Sequence, residues 1–242
     1  YGTDRGLLLY DGNDFSLYGQ ELENYIIWDI DFLNENALIV GTEKGVHIFD
    51  IKQKKFVNSD IGKKLAGQQV NDVSVVSKSE ILVATELAGL FVYNLKERSV
   101  KRITKTSGLM HNDIWSVIKD DSNNLWLNTS ISLDRYSNGF VSHFNKETGL
   151  FGDEGTIHCS YRTKSGKIYV SIIPGFIQIP TKEAHMEIVD PILYIKEVKV
   201  NSQEINTGGK EAVTLDYDQN SLEFNYVAVS TRKENPIFYK TR

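Results

Sequence analysis

Four stretches gather amides, carboxylates and hydroxyls, three of them beside aromatic or imidazole side chains: Asn24, Tyr25 and Trp28; Gln69, Asn71 and Asp72; His111, Asn112, Asp113 and Trp115; and Glu154, Thr156 and His158. The mixture suits a sugar, which offers apolar ring faces to aromatics and hydroxyls to polar groups. The candidate ligand-binding residues are Tyr25, Trp28, Asn71, Asp72, His111, Asn112, Asp113, Trp115 and His158. For each the competing role is structural, because Asn-Asp pairs make turns and Trp packs between sheets.

Other chemistry is weaker. Paired carboxylates for glycosidic cleavage could come from Asp29, Asp31, Asp72, Asp113 or Glu154, but no spacing sets a separation, so no catalytic residue is assigned. The 5 His residues show no short metal-ligand spacing, no HExxH and no Cys partner, so neither metal nor cofactor is expected. The turn "KDDSNNLW" resembles the Asp-box of sialidase propellers, with Lys119 and Asn123 in place of its Ser and Gly. Even a complete box is a turn. "TGGKE", from Thr207 to Glu211, joins two strands and reads as a hairpin turn, without the strand-to-helix setting of a phosphate loop.

The elements that position these residues recur. "ALIVGTEKGVHIFD", "EILVATELAGLFVYN", "NLWLNTSISLDRY" and "KIYVSIIPGFIQI" share one plan: an apolar strand, a small or polar hinge, a short turn, and a second alternating strand. Thr42, Thr85, Thr129 and Ile172 mark the hinges at a period near 43, and Thr3 with Gly6 ends an earlier copy. Each copy follows another alternating run, such as "YIIWDIDFL" or "NDIWSVIKD", and precedes a weaker one, such as "VKRIT". Four short strands per period make a propeller blade. A hinge Thr can bond a neighbouring backbone group, and Gly reaches positive φ cheaply. Helix is nearly absent; only "GKKLAGQQ" and "KEAH" are expected to make a turn.

In a propeller whose first strand is innermost, the loop leading into that strand and the loop after the second strand share one face beside the central channel. The four polar stretches therefore gather near one mouth.

Composition excludes several classes. At 40% hydrophobic and 24% charged residues the chain is globular rather than disordered. Net charge is -5 with no basic stripe, so nucleic acid is not an expected partner. No apolar run approaches the roughly 18 residues of a membrane helix, and no membrane segment is expected in this chain. The single Cys159 reads as a small buried thiol.

The stretch "SGLMHNDIWSVIKDDSNNLWLNTSISLDRYSNGFVSHFNKETGL" resembles the two-component regulator propeller repeat. Gly108, Leu109, Asn112, Asp113, Asp120, Leu125, Trp126, Thr129 and Tyr136 carry the likeness, and Asn128 and Ser132 depart from two usual glycines. After Pro191 the segments "VKVNSQEI", "LDYDQNSLEFNYVAVS" and "IFYK" resemble the Tyr-rich immunoglobulin-like module that follows such propellers. Together the resemblances imply the periplasmic sensor region of a hybrid two-component histidine kinase, of the type gut Bacteroidetes use to detect glycan fragments. They further imply an oligosaccharide ligand and a homodimer.

The expected fold is therefore all-β: a partial β-propeller of four to five blades over residues 1–188, then an incomplete immunoglobulin-like β-sandwich over 191–242. About seven blades at this period take ~300 residues, so the chain is expected to be part of a larger, non-enzymatic receptor. A carbohydrate-active propeller enzyme and a protein-docking propeller are the alternatives.

Overall fold

The computed structural model describes residues 1–19, 22, 25–148, 150, 152, 155–179, 192–205 and 212–229, without the side chains of 147 and 155–159. The chain divides into two compact units, Tyr1–Ala184 and His185–Arg242.

The first unit is a succession of antiparallel sheets, each a blade. Blade I holds β1 (Gly2–Thr3), β2 (Gly6–Tyr10) and β3 (Phe15–Tyr18). Blade II holds β4 (Ile27–Asn34), β5 (Ala37–Thr42), β6 (Gly45–Asp50) and β7 (Lys55–Val57). Blade III holds β8 (Val70–Ser77), β9 (Glu80–Thr85), β10 (Gly89–Asn94) and β11 (Ser99–Ile103). Blade IV holds β12 (Ile114–Lys119), β13 (Leu125–Thr129), β14 (Leu133–Ser137) and β15 (Phe140–Phe144). Blade V holds β16 (Gly155–Arg162), β17 (Ile168–Ile172) and β18 (Gly175–Ile179). Within every blade the strands lie side by side in chain order. The four-strand period is thus realised as a partial β-propeller. One short helix, α1 (Asp60–Lys64), starts before the expected "GKKLAGQQ" turn, capped by Ser59 Oγ accepting the Gly62 N–H at 3.0 Å. "KEAH" lies outside the described residues.

The hinges form as their residue types dictate. Thr hydroxyls donate across the turn to the carbonyl of Gly6 from Thr3 (2.8 Å), Gly45 from Thr42 (3.0 Å), Gly89 from Thr85 (2.6 Å) and Ser132 from Thr129 (2.9 Å). In blade V, Ile172 has no hydroxyl, and the preceding Ser171 donates to Gly175 instead at 3.3 Å. Gly89 sits at φ 86, and a Cβ there would meet the Ile103 carbonyl at 2.4 Å, so two constraints at once require glycine.

The core lies between blades. Ile39, Val46 and Ile48 of blade II pack on Val70, Val73 and Ile81 of blade III. Leu82 and Leu90 of blade III pack on Ile114, Val117 and Leu127 of blade IV, and Trp126 and Leu133 of blade IV on Ile168 and Val170 of blade V. Each blade buries one face on each neighbour, so apolar residues occupy both faces of the middle strands.

The inner strands carry a second kind of tie. β4, β8 and β12 each pair with a neighbour on one side only, which leaves alternate N–H groups pointing off the ladder. Side chains of the preceding blade meet them. Asp29 Oδ2 accepts the Val73 N–H at 2.8 Å, Asp31 Oδ2 that of Val75 at 2.7 Å, and Asp72 Oδ2 that of Val117 at 2.7 Å. Asn71 Nδ2 donates to the Ile114 carbonyl at 3.0 Å and Ser116 Oγ meets Ser160 Oγ at 2.6 Å, while between the second strands β13 and β17 Asn128 Nδ2 donates to the Ser171 carbonyl at 3.0 Å. All six ties span one repeat.

The second unit contains an antiparallel sheet ordered β20 (Gln203–Glu204), β19 (Ile192–Val200), β21 (Leu222–Val229). The β19–β20 hairpin turns at Asn201 and Ser202, both at positive φ (48 and 68), as a two-residue turn of this kind requires. Thr207–Glu211 lies outside the described residues.

Burial raises the Asp72 pKa well above its ordinary value, helped by the charge of Asp29 and a hydrogen bond with it, and opposed by the Val117 N–H. A raised folded-state pKa favours the fold at low pH and loses that contribution as pH climbs through the folded value. The contribution of Asp72 to stability is therefore expected to fall as pH rises from near 3.8. Asp72→Asn keeps an acceptor for Val117 and a donor for Asp29 without the charge. Urea unfolding at neutral pH should find it more stable than wild type by about 1 kcal/mol, with a flatter pH profile; a less stable variant would contradict the shared-proton arrangement.

Candidate functional site

One edge of blades II, III and IV carries the same pair of loops. The Glu43 N–H donates to the Ile26 carbonyl (3.3 Å), the Glu86 N–H to Gln69 (3.0 Å) and the Ser130 N–H to Asp113 (3.3 Å). Each bond joins a hinge turn to the loop leading into the inner strand, so both loops form one rim. The Gly89 N–H donates to the Asn112 carbonyl at 2.8 Å and joins the rims of blades III and IV.

Inner strands enter the sheet through a bulge. The ladder breaks register between Ile27 and Asp29, Val70 and Asp72, and Ile114 and Ser116. The bulged residues are Trp28, Asn71 and Trp115. A bulge re-aims one side chain, and here it gives the two Trp residues equivalent positions on blades II and IV. Both are half-buried, and the Trp115 indole N–H is buried without a hydrogen bond among the described residues.

The other candidates divide between fold and rim. Asn71, 1% exposed, and Asp72 make the ties between blades. Asn112 Oδ1 accepts the Lys105 N–H at 2.8 Å, at the start of a single 3₁₀ turn (Lys105–Ser107). These three polar groups are engaged inside the protein, because an edge strand and a loop end each leave a backbone group that needs a partner. Tyr25 is half-buried, its ring 5.9 Å from that of His47, which lies 5.9 Å from Phe56; burial lowers the His47 pKa.

His111, Asp113, Trp28 and Trp115 remain at the rim. His111 Nδ1 accepts the Asp113 N–H at 3.1 Å and lies 3.1 Å from Ser130 Oγ, which puts the ring proton of the neutral imidazole on Nε2. Asp113 is 8% exposed, and its Oδ1 has no hydrogen bond among the described residues. Burial raises its pKa and the charge of Glu86 adds to this, while His111 opposes. Asn24 and Glu154, and the side chains of Thr156 and His158, lie outside the described residues.

Two polar groupings have catalytic residue types without catalytic geometry. Asp29 and Asp72 share a hydrogen bond, closer than the ~5 Å that glycoside-cleaving carboxylates keep around a sugar. In blade IV, Ser132 Oγ and His143 Nδ1 both lie 2.8 Å from Asp134 Oδ1, and all three side chains are buried. A nucleophile must meet its base, whereas here both meet the same carboxylate oxygen. Asp134 Oδ2 accepts the Met110 N–H at 2.8 Å and so holds the loop that carries His111 and Asp113. Sequence reasoning missed this support. Its signal is an Asp and a His at buried positions of paired strands, with Ser where the hinge expects Gly. Asp120 likewise organises its turn, accepting N–H groups of Ser122, Asn124 and the Trp126 indole. No group of three or more His, Cys, Asp or Glu among the described residues could hold a metal ion.

No family model matches the chain. A histidine kinase of Formosa agariphila is 21% identical over 208 residues, covering 77% of this chain and 15% of that protein. Among solved structures, the extracellular domain of a hybrid two-component system from B. thetaiotaomicron superposes with TM-score 0.62 at 20% identity, over 73% of this chain and 24% of that one. The extracellular domain of a second such system from the same organism gives 0.56 at 15% identity, over 93% and 39%. The chain thus spans well under half of each relative, and the likeness establishes the fold. No described helix is long and apolar enough to cross a membrane.

Asp134→Ala would remove the carboxylate that Ser132, His143 and the Met110 N–H all bond, leaving Ser132 Oγ with Thr129 Oγ1 at 2.9 Å. The expected loss is about 3 kcal/mol in urea unfolding, with faster amide exchange at Met110. A loss below about 0.5 kcal/mol would show that Asp134 does not support the rim.

Proposed function

We propose that the chain is part of the extracytoplasmic, periplasmic ligand-sensing region of a hybrid two-component histidine kinase. In this proposal an oligosaccharide binds at the propeller rim, and the signal passes through the immunoglobulin-like C-terminal unit to a membrane helix and kinase. The receptor acts as a homodimer, and a ligand with different affinity for two arrangements of the pair drives the switch.

The observation that carries the binding role is the pair of equivalent bulges that place Trp28 on blade II and Trp115 on blade IV, the latter on the blade whose rim holds His111, Ser130 and Asp113. Indoles cover sugar ring faces, and Asp113 Oδ1 and Trp115 Nε1, buried without a hydrogen bond among the described residues, are an acceptor and a donor of the kind a sugar hydroxyl uses once the rim opens to it. The solved relatives, extracellular domains of two-component systems, and the histidine kinase relative support the sensor role over an enzyme. A second proposal, a protein-docking propeller, is favoured by the exposed hinge tips Leu87, Ile131 and Ile173.

Calorimetric titration of the receptor region containing this chain against an oligosaccharide panel, with product analysis, tests the proposal. Saturable binding with the sugar returned intact is expected, weakened about ten-fold or more by Trp28→Ala or Trp115→Ala. Shortened products would make the protein an enzyme, and silence across the panel would favour docking.

A further inference from the structure

The inner strands resume their ladders on a polar residue. The first paired residue after the break is Asp29 in β4, Asp72 in β8, Ser116 in β12 and Ser160 in β16, so the four stand at one place in the repeat. Members of this row meet across blades. Ser116 Oγ lies 2.6 Å from Ser160 Oγ, and the carboxyl groups of Asp29 and Asp72 share a hydrogen bond. Two carboxyls bond each other by way of a proton held between them.

Joining blades does not require acids at this place. Hydroxyls serve between blades IV and V, and an Asn at 29 or 72 would accept the same N–H of Val73 or Val117 without a charge. The acids bring like-charge repulsion, and Asp31, two residues along β4, adds its own charge to that of Asp29 on Asp72. Among the described side chains of the strands packed on β8, the cations are Lys119 and Arg162, which bond Glu80 (2.8 Å) and Asp121. Backbone N–H groups are thus what offsets the pair. Asp29 and Asp72 are both half-buried, which leaves them able to exchange protons with solvent.

The pair adjoins both rim indoles. Asp29 directly follows Trp28. Asp72 directly follows Asn71, whose Nδ2 donates at 3.0 Å to the carbonyl of Ile114, the residue before Trp115. A change in the spacing of the two carboxyls is therefore applied one residue from Trp28 and, through Asn71, one residue from Trp115.

We propose that Asp29 and Asp72 form a proton-operated joint that sets where the rim presents its two indoles. With one proton between them the carboxyls hold β4 against β8. Without it each anion keeps its backbone tie, Asp29 to Val73 and Asp72 to Val117, but the two part, and Trp28 moves relative to Trp115. A proton is then a second input to the receptor. That regulatory role, unlike the joint itself, rests on the sensor reading of the rim.

The test needs no ligand, so its failure is distinct from failure of the sensor reading. Proton–nitrogen correlation spectra of the whole chain are followed from acid to neutral pH. The Trp28 indole and the Val73 and Val117 amides should shift together, with one midpoint above the ordinary carboxylate value of 3.8. Asp72→Asn should remove that transition. Asp29→Asn should move it to lower pH, because the amide donates to the Asp72 carboxylate in place of a shared proton. Asp113→Asn, which removes the carboxyl two residues before Trp115, should leave the Trp28 transition in place. The proposal is overturned if the Trp28 indole does not titrate, if its midpoint differs from that of Val73 and Val117, if Asp72→Asn keeps the wild-type midpoint, or if Asp113→Asn abolishes the transition.

Discussion

An inner blade strand has a partner on only one side, and its outward N–H groups need acceptors where water is scarce. The protein supplies them from one repeat earlier, through Asp29, Asp31 and Asp72. An unpaired buried N–H costs roughly what a lost hydrogen bond does, so each carboxylate both satisfies the backbone and fixes the position of the next blade. The ties have a consequence for electrostatics. Asp29 and Asp72 are brought together closely enough to share a proton, and Asp72 is held toward its neutral form. Asp29 and Asp72 each directly follow a bulged residue, Trp28 or Asn71, so the tie and the bulge occupy one place in the repeat.

Blades, hinges and period were legible because they depend on local rules. Strand alternation, a Thr that donates across its own turn and a glycine at positive φ all act within a few residues. Even the degenerate copy obeys the rule, with Ser171 supplying the hydroxyl that Ile172 lacks. The candidate site was less legible. Asn71, Asp72 and Trp115 share one kind of sequence context, an Asx or Trp at the start of an alternating run, yet the first two bond to the next blade and the third stays at the rim. Which occurs depends on a partner 43 to 45 residues away, and no local pattern records it. The Ser132, Asp134 and His143 grouping was hidden because its pairing depends on the register of β14 with β15 and on the loop that carries Met110, and its role is to hold Met110 rather than to act on a ligand.

At the rim, the period sets equivalent bulges around a mouth, and variation in the bulged residue supplies aromatics on two blades and an amide between them. Repetition builds the frame, and departures from repetition carry the chemistry.

Amide hydrogen exchange of Val73, Val75 and Val117 tests the central claim most directly, because these N–H groups lie off the ladder and would exchange readily on an unprotected edge. If side-chain carboxylates of the preceding blade secure the inner strands, the three amides will exchange among the slowest in the chain, far behind the outward amides of β11, and Asp29→Ala will release Val73 selectively. Exchange of all three at the rate of those β11 amides would contradict the account.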